Sequence, residues 1–247
     1  MSAVLNLILS HQSAPAVASM VDYWTKCVPA ESILIAYGGP MNEFGRTEHE
    51  QKLFIDDPLL RTKDPQREFQ SYDKLFRSAA QFLRNHENRF QFVHFAEYDH
   101  LPLIPGLNDL QIEQLKSEQA DLLGYHLERV DGTNNPHFLY HASNSNFRSY
   151  WAKTTCRSKA DVVLSFIGTG NFWTHEAFCA AAAIEQPFPI YMELRLPTLA
   201  HHLGFRVRDF GEQNRFVTAG ADRTGEIEQA RNQGAWTLHP AKRLWKN

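Results

Sequence analysis

Apolar residues fall in short runs closed by polar or glycine-proline breaks, and four such runs occupy the first hundred positions. Residues 3–9 read as a buried strand that ends at Ser10-His11-Gln12. Ser13 then suits a helix N-cap, with Pro15 in the first turn and Val17, Met20, Val21 and Trp24 at helical spacing. Residues 32–37 form a second apolar run, broken by Gly38-Gly39-Pro40. A short third run, 52–55, ends in Asp56-Asp57-Pro58. Residues 67–84 predict a helix with Phe69, Tyr72, Leu75, Phe76, Ala79 and Leu83 on one face. Residues 90–96 are the fourth strand. Strand, helix and strand with short links form right-handed parallel crossovers, so this part predicts a Rossmann-like α/β fold with a mostly parallel central sheet flanked by helices.

The pattern continues less regularly. Residues 108–120 predict a helix, 121–129 a strand, and Thr133-Asn134-Asn135-Pro136 a turn. Residues 138–141, with Tyr150 and Trp151, are aromatic and positioned to cover a pocket. Residues 162–167 predict a buried strand leading into Gly168-Thr169-Gly170, then a helix over 177–184. Trp173 stands where a dinucleotide-binding turn would have its third glycine, so this stretch reads as a tight turn that lets backbone approach a ligand. Further on, Glu193 precedes a helix whose start Pro197 is expected to delay, Gly204 ends it, and 205–207 form a strand.

The length of 247 residues suits a single domain over 1–247. Its natural division lies near 105, between a first half (1–105) and a second half (106–247). The formal net charge of -3 and the absence of a basic tail give no footprint for nucleic acid or an anionic membrane. No apolar run approaches the roughly 20 residues of a transmembrane segment, and no basic region precedes the first apolar run. Cys27, Cys156 and Cys179 form no metal-type pair, and a cytoplasmic location is expected. Neither a Gly-x-Ser-x-Gly elbow nor a His-Glu-x-x-His motif is present.

The chemistry concentrates at strand ends, where ligands of such sheets bind. These ends carry Ser10 and His11, Gly38, Asp56 and Asp57, then Glu97-Tyr98-Asp99. Glu97 and Asp99 are two residues apart on extended backbone, so both carboxylates point to one side. Such a pair makes a hard anionic site for Mg²⁺ or Mn²⁺, which in turn holds a diphosphate.

Glu97-Tyr98-Asp99 at the end of a central strand resembles the acidic metal-binding motif of glycosyltransferases with the GT-A fold. The stretch Glu193 to Gly204-Phe205-Arg206-Val207 is similar to the segment that carries the base in the second half of those enzymes, with Leu194 where the family has a second acid. The resemblance implies a nucleotide-sugar donor, an acceptor hydroxyl on a glycan or small molecule, and an inverting transfer. It implies Asp99 as the main metal ligand, with Glu97 and His239 assisting, Lys242 on the diphosphate, and Glu193 as general base. Ser10, His11, Gly38, Asp56 and Asp57 would then face the donor. Two alternatives stay open: a nucleotidyltransferase, whose glycine- and arginine-bearing loop is missing after the first strand, and a non-catalytic ligand- or partner-binding protein of the same fold.

Overall fold

The computed structural model describes residues 3–57, 60, 72–86, 89–154, 162–185 and 190–245. Strand β1 (Val4–Ser10) is buried over its whole length, as a parallel strand covered on both faces must be. It pairs in parallel with β2 (Ile33–Tyr37) on one side and β4 (Phe92–Glu97) on the other, and β2 pairs in parallel with β3 (Lys52–Phe54). Beyond β4 lie β9 (Asn171–Thr174), β6 (Leu122–Gly124) and β10 (Val207–Asp209), giving the order β10-β6-β9-β4-β1-β2-β3. Only β9 is reversed, antiparallel to both β4 and β6. The expected α/β sheet, mostly parallel and flanked by helices, is therefore the observed one.

Strand alternation divides the core. Leu5, Leu7, Leu9, Leu34, Ala36, Val93 and Phe95 pack on one face with helices α3 (Tyr72–Arg84), α7 (His175–Ala183) and α8 (Met192–His202). Ile8, Ile33, Ile35 and Ala96 pack on the other with α1 (Ala14–Trp24) and Leu107 of α4 (Leu107–Ser117). Between α1 and α3 in the chain lies the short α2 (Met41–Arg46), whose Glu43 accepts a hydrogen bond from the Ala14 N–H at the start of α1. Because six strands run the same way, Ser10, Tyr37, Glu97, Gly124 and Asp209 end at one rim, and β9 begins there.

Several elements differ from the sequence pattern. Within 162–167 only Leu164–Ser165 (β8) is strand, and it pairs outside the main sheet with β7 (Glu128–Arg129). The sheet strand is instead β9, directly after the Gly168-x-Gly170 turn; its Phe-Trp-Thr run has strong strand preference but only four residues. The stretch 121–129 splits into β6 and β7 at Tyr125-His126, where His126 takes φ +54° and leaves the sheet. Residues 138–141 lie in helix α5 (Pro136–Ala142), while Tyr150 and Trp151 of α6 (Ser145–Thr154) are buried core rather than a pocket cover. Residues 67–71 of the expected helix, Pro58 and Cys156 lie outside the described residues.

Helix α8 starts at Met192, before Pro197 rather than after it. Proline lacks the N–H that would bond the carbonyl four residues back, that of Glu193. The freed Glu193 carbonyl accepts the Phe166 N–H at 3.1 Å instead, so the proline ties the helix to the β8–β9 loop. The helix ends in a Schellman closure at Gly204 (φ +97°), with Gly204 N–H bonded to the His201 carbonyl and Phe205 N–H to that of Ala200. The chain returns at β11 (Thr237–Leu238), antiparallel to β5 (Leu101–Pro102), placing the C-terminal segment beside the end of β4.

Gly170 (φ +76°) combines a left-handed backbone with a site that has no room: an added Cβ would lie 2.1 Å from His100 Cε1 and 2.8 Å from Tyr125 Cε2. Gly170→Ala is expected to lower stability by about 2–5 kcal/mol, strain and overpacking acting together. Urea unfolding checks this, and an unchanged midpoint and slope would contradict it.

Candidate active site

Glu97 is the last residue of β4, and the chain turns immediately after it, with His100 N–H bonded to the Glu97 carbonyl at 2.9 Å. The turn is held from behind by the C-terminal segment. Ala241 N–H donates to the Asp99 carbonyl at 2.8 Å, and the Trp245 indole N–H to that of Tyr98 at 2.7 Å. The β5–β11 pairing sets His239 next to Asp99. One ligating atom each from Glu97, Asp99 and His239 lie within 4.8 Å of one another.

This cluster is electrostatically incomplete. Asp99 is only 4 % exposed, and among the described residues its Oδ1 has no hydrogen-bond partner. His239 Nε2 lies 3.5 Å away, too long for a formed charge-assisted hydrogen bond. His239 Nδ1 is 2.7 Å from the Thr218 carbonyl, which can only accept, so the proton sits on Nδ1 and Nε2 faces the carboxylates. This second bond is the device that orients metal-binding imidazoles. Burial pulls the His239 ring down, but Asp99, Glu97 and the Thr218 carbonyl outweigh it and leave it above its ordinary value. Burial and then the Asp99 charge push the Glu97 carboxyl upward, while the Tyr72 hydroxyl, donating to Glu97 Oε1 at 2.5 Å, offsets part of the rise. A buried carboxylate with an orphaned oxygen, a half-buried one beside it and a pre-oriented imidazole fit a divalent cation such as Mn²⁺ or Mg²⁺.

A cleft of about 560 Å³ opens from this cluster; Glu193, Lys242, Tyr191 and the 165–169 loop are among its walls. Glu193 stands in the first turn of α8, half-buried. Gly168 makes room for it: a Cβ there would lie 3.2 Å from Glu193 Oε1 and 2.5 Å from Met192 Cε. The same loop reaches the other side of the site, where Thr169 Oγ1 accepts the Glu97 N–H at 2.8 Å. A smaller lobe of about 170 Å³ is lined by Leu9, His11, Leu60 and Tyr98, and shares Tyr72, Glu97, Asp99 and Lys242 with the first. In it the His11 and Tyr98 rings meet edge-on at 4.8 Å. Burial lowers the His11 pKa, against the pull of Asp99.

The structure thus brings Glu97, Asp99, His239, Glu193, Lys242 and His11 around two connected lobes. Ser10, Gly38, Asp56 and Asp57 follow strand ends of the same rim but line neither lobe. Ser10 is fully buried, its hydroxyl accepting the Gln12 N–H at 3.3 Å and its carbonyl the Gly38 N–H at 2.9 Å. A Cβ on Gly38 would lie 2.9 Å from Leu60. Asp56 is exposed, and its carbonyl accepts from Lys74. Sequence reasoning missed Tyr72, Thr169 and Thr218. Tyr72 was legible only as a core residue of its helix, and Thr169 and Thr218 act through bonds no local pattern announces.

No protein-family model and no curated protein matches the sequence. Solved structures do resemble the fold. Core-mannan synthase A from Aspergillus fumigatus in an Mn/GDP form shares 8% identity over 87% of this chain and 73% of its own, with a TM-score of 0.43. A mannosyltransferase from Pyrobaculum calidifontis in complex with GDP-Man and Mn²⁺ shares 8% over 85% of this chain and 55% of its own, with a TM-score of 0.44. A cytidylyltransferase from Leptospira borgpetersenii shares 9% over 85% and 76%, with a TM-score of 0.45. The chain thus spans little more than half the length of the Pyrobaculum enzyme. These neighbours are glycosyl- and nucleotidyltransferases. Among the described residues, no helix is long and apolar enough to cross a membrane.

Asp99→Asn is expected to abolish Mn²⁺ binding in isothermal titration while leaving the circular dichroism spectrum intact; retained affinity would remove Asp99 from the site. Since His239 and Glu97 both have raised pKa values without metal, each holds its proton further toward neutral pH and competes with the cation. Mn²⁺ affinity should therefore rise with pH across the range from about 6 to 8, with protons released on binding. A flat pH profile would contradict this.

Proposed function

We propose that this protein is a metal-dependent glycosyltransferase that moves a sugar from a nucleotide-sugar donor to an acceptor hydroxyl with inversion. The observation that carries the reading is the juxtaposition, across one cleft, of an incomplete carboxylate–imidazole cluster and a separate carboxylate, Glu193. Asp99, Glu97 and His239 would hold the cation. When bound, it supplies the positive charge that neutralises a departing diphosphate. Lys242 lines both lobes and would add a second positive charge to the same group.

Glu193 has a different task. It is near enough to Glu97 for their charges to interact, yet it belongs to another element and lies outside the cluster. In an inverting transfer the acceptor oxygen bonds to the anomeric carbon as the bond from that carbon to the diphosphate oxygen breaks. The leaving diphosphate takes the electron pair, and the acceptor proton goes to the Glu193 carboxylate. The small lobe with His11 and Tyr98 suits the donor's nucleotide portion, and the larger lobe past Glu193 suits the acceptor.

The nucleotidyltransferase alternative finds less support. Residues 11–13, linking β1 to α1, are His-Gln-Ser, with no glycine, arginine or lysine to wrap a triphosphate. Glu193→Gln is expected to keep Mn²⁺-dependent donor binding while turnover falls by about 10²- to 10⁴-fold. Donor titration beside a product assay reads the two separately. Turnover near wild type would end the base assignment, and turnover absent from wild type with every acceptor, despite donor binding, would favour a non-catalytic role.

A further inference from the structure

In the glycosyltransferase reading, on which this inference rests, Lys242 has to meet the same diphosphate as the cation. Its ammonium sits on a flexible four-carbon stem, so where it reaches is set by how its backbone is fixed. Lys242 comes three residues after His239 and directly after Ala241, whose N–H donates to the Asp99 carbonyl at 2.8 Å. That contact ties one edge of the C-terminal segment to the acidic turn.

The other edge is held by residues 216–224. The His239 N–H donates to the Phe216 carbonyl and the Thr218 N–H to the His239 carbonyl, both at 3.1 Å, and the Arg223 N–H donates to the Pro240 carbonyl at 2.7 Å. Asp222 takes Lys242 itself. Its Oδ1 accepts the Lys242 N–H at 2.6 Å and the Thr224 hydroxyl at 2.7 Å, and Thr224 Oγ1 in turn accepts the Arg243 N–H at 3.2 Å. Its Oδ2 pairs with Arg243 Nε at 3.2 Å. The ion pair is therefore made by the Arg243 side chain, whereas Lys242 contributes its backbone N–H and lines both lobes. A hydrogen bond to a carboxylate is roughly twice as strong as a neutral one. The Asp222 side chain is 15 % exposed, so water competes weakly for it. The same stretch supplies the Thr218 carbonyl that orients the His239 ring, so one loop sets both the imidazole and the lysine.

We propose that Asp222 is a positioning residue for diphosphate binding: by fixing the Lys242 backbone it sets the ammonium against the group that the cation also holds. The test titrates the full chain with ADP, CDP, GDP, UDP and dTDP in the presence of Mn²⁺, and carries the tightest of them through the variants. Asp222→Ala is expected to weaken that nucleotide by about tenfold, while Mn²⁺ affinity without nucleotide stays within about threefold. Asp222→Asn, which keeps an oxygen for the Lys242 N–H, should stay within about threefold of wild type. The decisive comparison is a double-mutant cycle. Lys242→Met should itself weaken the nucleotide, and adding Asp222→Ala to it should cost less than about twofold more. A residue that merely stabilises the loop would give the same loss in both backgrounds. Should Asp222→Ala fail to fold, Thr224→Val, which removes the hydroxyl bonded to the carboxylate, should weaken the nucleotide by about threefold, and again only where Lys242 is present. Wild-type affinity in Asp222→Ala would overturn the proposal, as would an equal loss in the Lys242→Met background, a loss in Asp222→Asn as large as in Asp222→Ala, or full affinity in Lys242→Met. The two readings fail separately: if none of the five nucleotides binds with Mn²⁺, the glycosyltransferase reading falls and this inference with it, whereas Mn²⁺-dependent binding indifferent to Asp222 or Lys242 defeats the positioning role alone.

Discussion

A buried carboxylate with one oxygen left without a partner is costly, and Asp99 is such a group at the end of the central strand of this protein. A second carboxylate, Glu97, stands beside it, and an imidazole is aimed at both. Much of the local structure serves to keep them there. The C-terminal segment bonds the carbonyls of Tyr98 and Asp99, Tyr72 bonds one Glu97 oxygen, Thr169 bonds the Glu97 N–H, and Thr218 fixes the His239 tautomer. None of these contacts supplies positive charge. Three elements distant in sequence thus converge on a cluster that, in the proposed reading, a cation would complete.

The sheet explains why the second chemical group can be close without joining the first. The reversed strand β9 starts at the rim where β4 and β6 end, so the loop before it crosses the site between Glu97 and Glu193. Thr169 touches the cluster from one end of this loop, and Gly168 and Phe166 contact α8 from the other. Pro197 contributes by freeing the carbonyl that the loop then binds. A proline inside a helix is ordinarily a fault. Here its lost hydrogen bond is replaced by one that joins the helix carrying Glu193 to the β8–β9 loop.

The legible part of this architecture was local. Four apolar runs with helical links predicted the parallel half, and the two-residue spacing of Glu97 and Asp99 predicted their shared side. The remainder depends on tertiary pairing. Strand β9 is four residues long and follows a glycine turn, so periodicity over so short a stretch had no power against the turn signal. Pro197 suggested a late helix start because the compensating donor exchange, the Phe166 N–H for the missing proline N–H, joins residues distant in sequence. Ser10, Asp56 and Asp57 shared the strand-end signal with Asp99, and position at the rim was read correctly for all of them. Which rim residues face the cleft is decided by side-chain partners: Ser10 is turned to its own loop backbone, while Asp99 is met by a histidine 140 positions later in the chain.

The central claim is that the unpartnered Asp99 oxygen and His239 Nε2 share a divalent cation. Anomalous diffraction at the manganese edge, from crystals grown with Mn²⁺ and a nucleoside diphosphate, locates that ion directly. The account predicts one peak bonded to Asp99 and His239, with the diphosphate oxygens on its open side toward Lys242 and the cleft. A diphosphate bound without a peak there, or manganese held elsewhere while His239 still faces Asp99 alone, would contradict it.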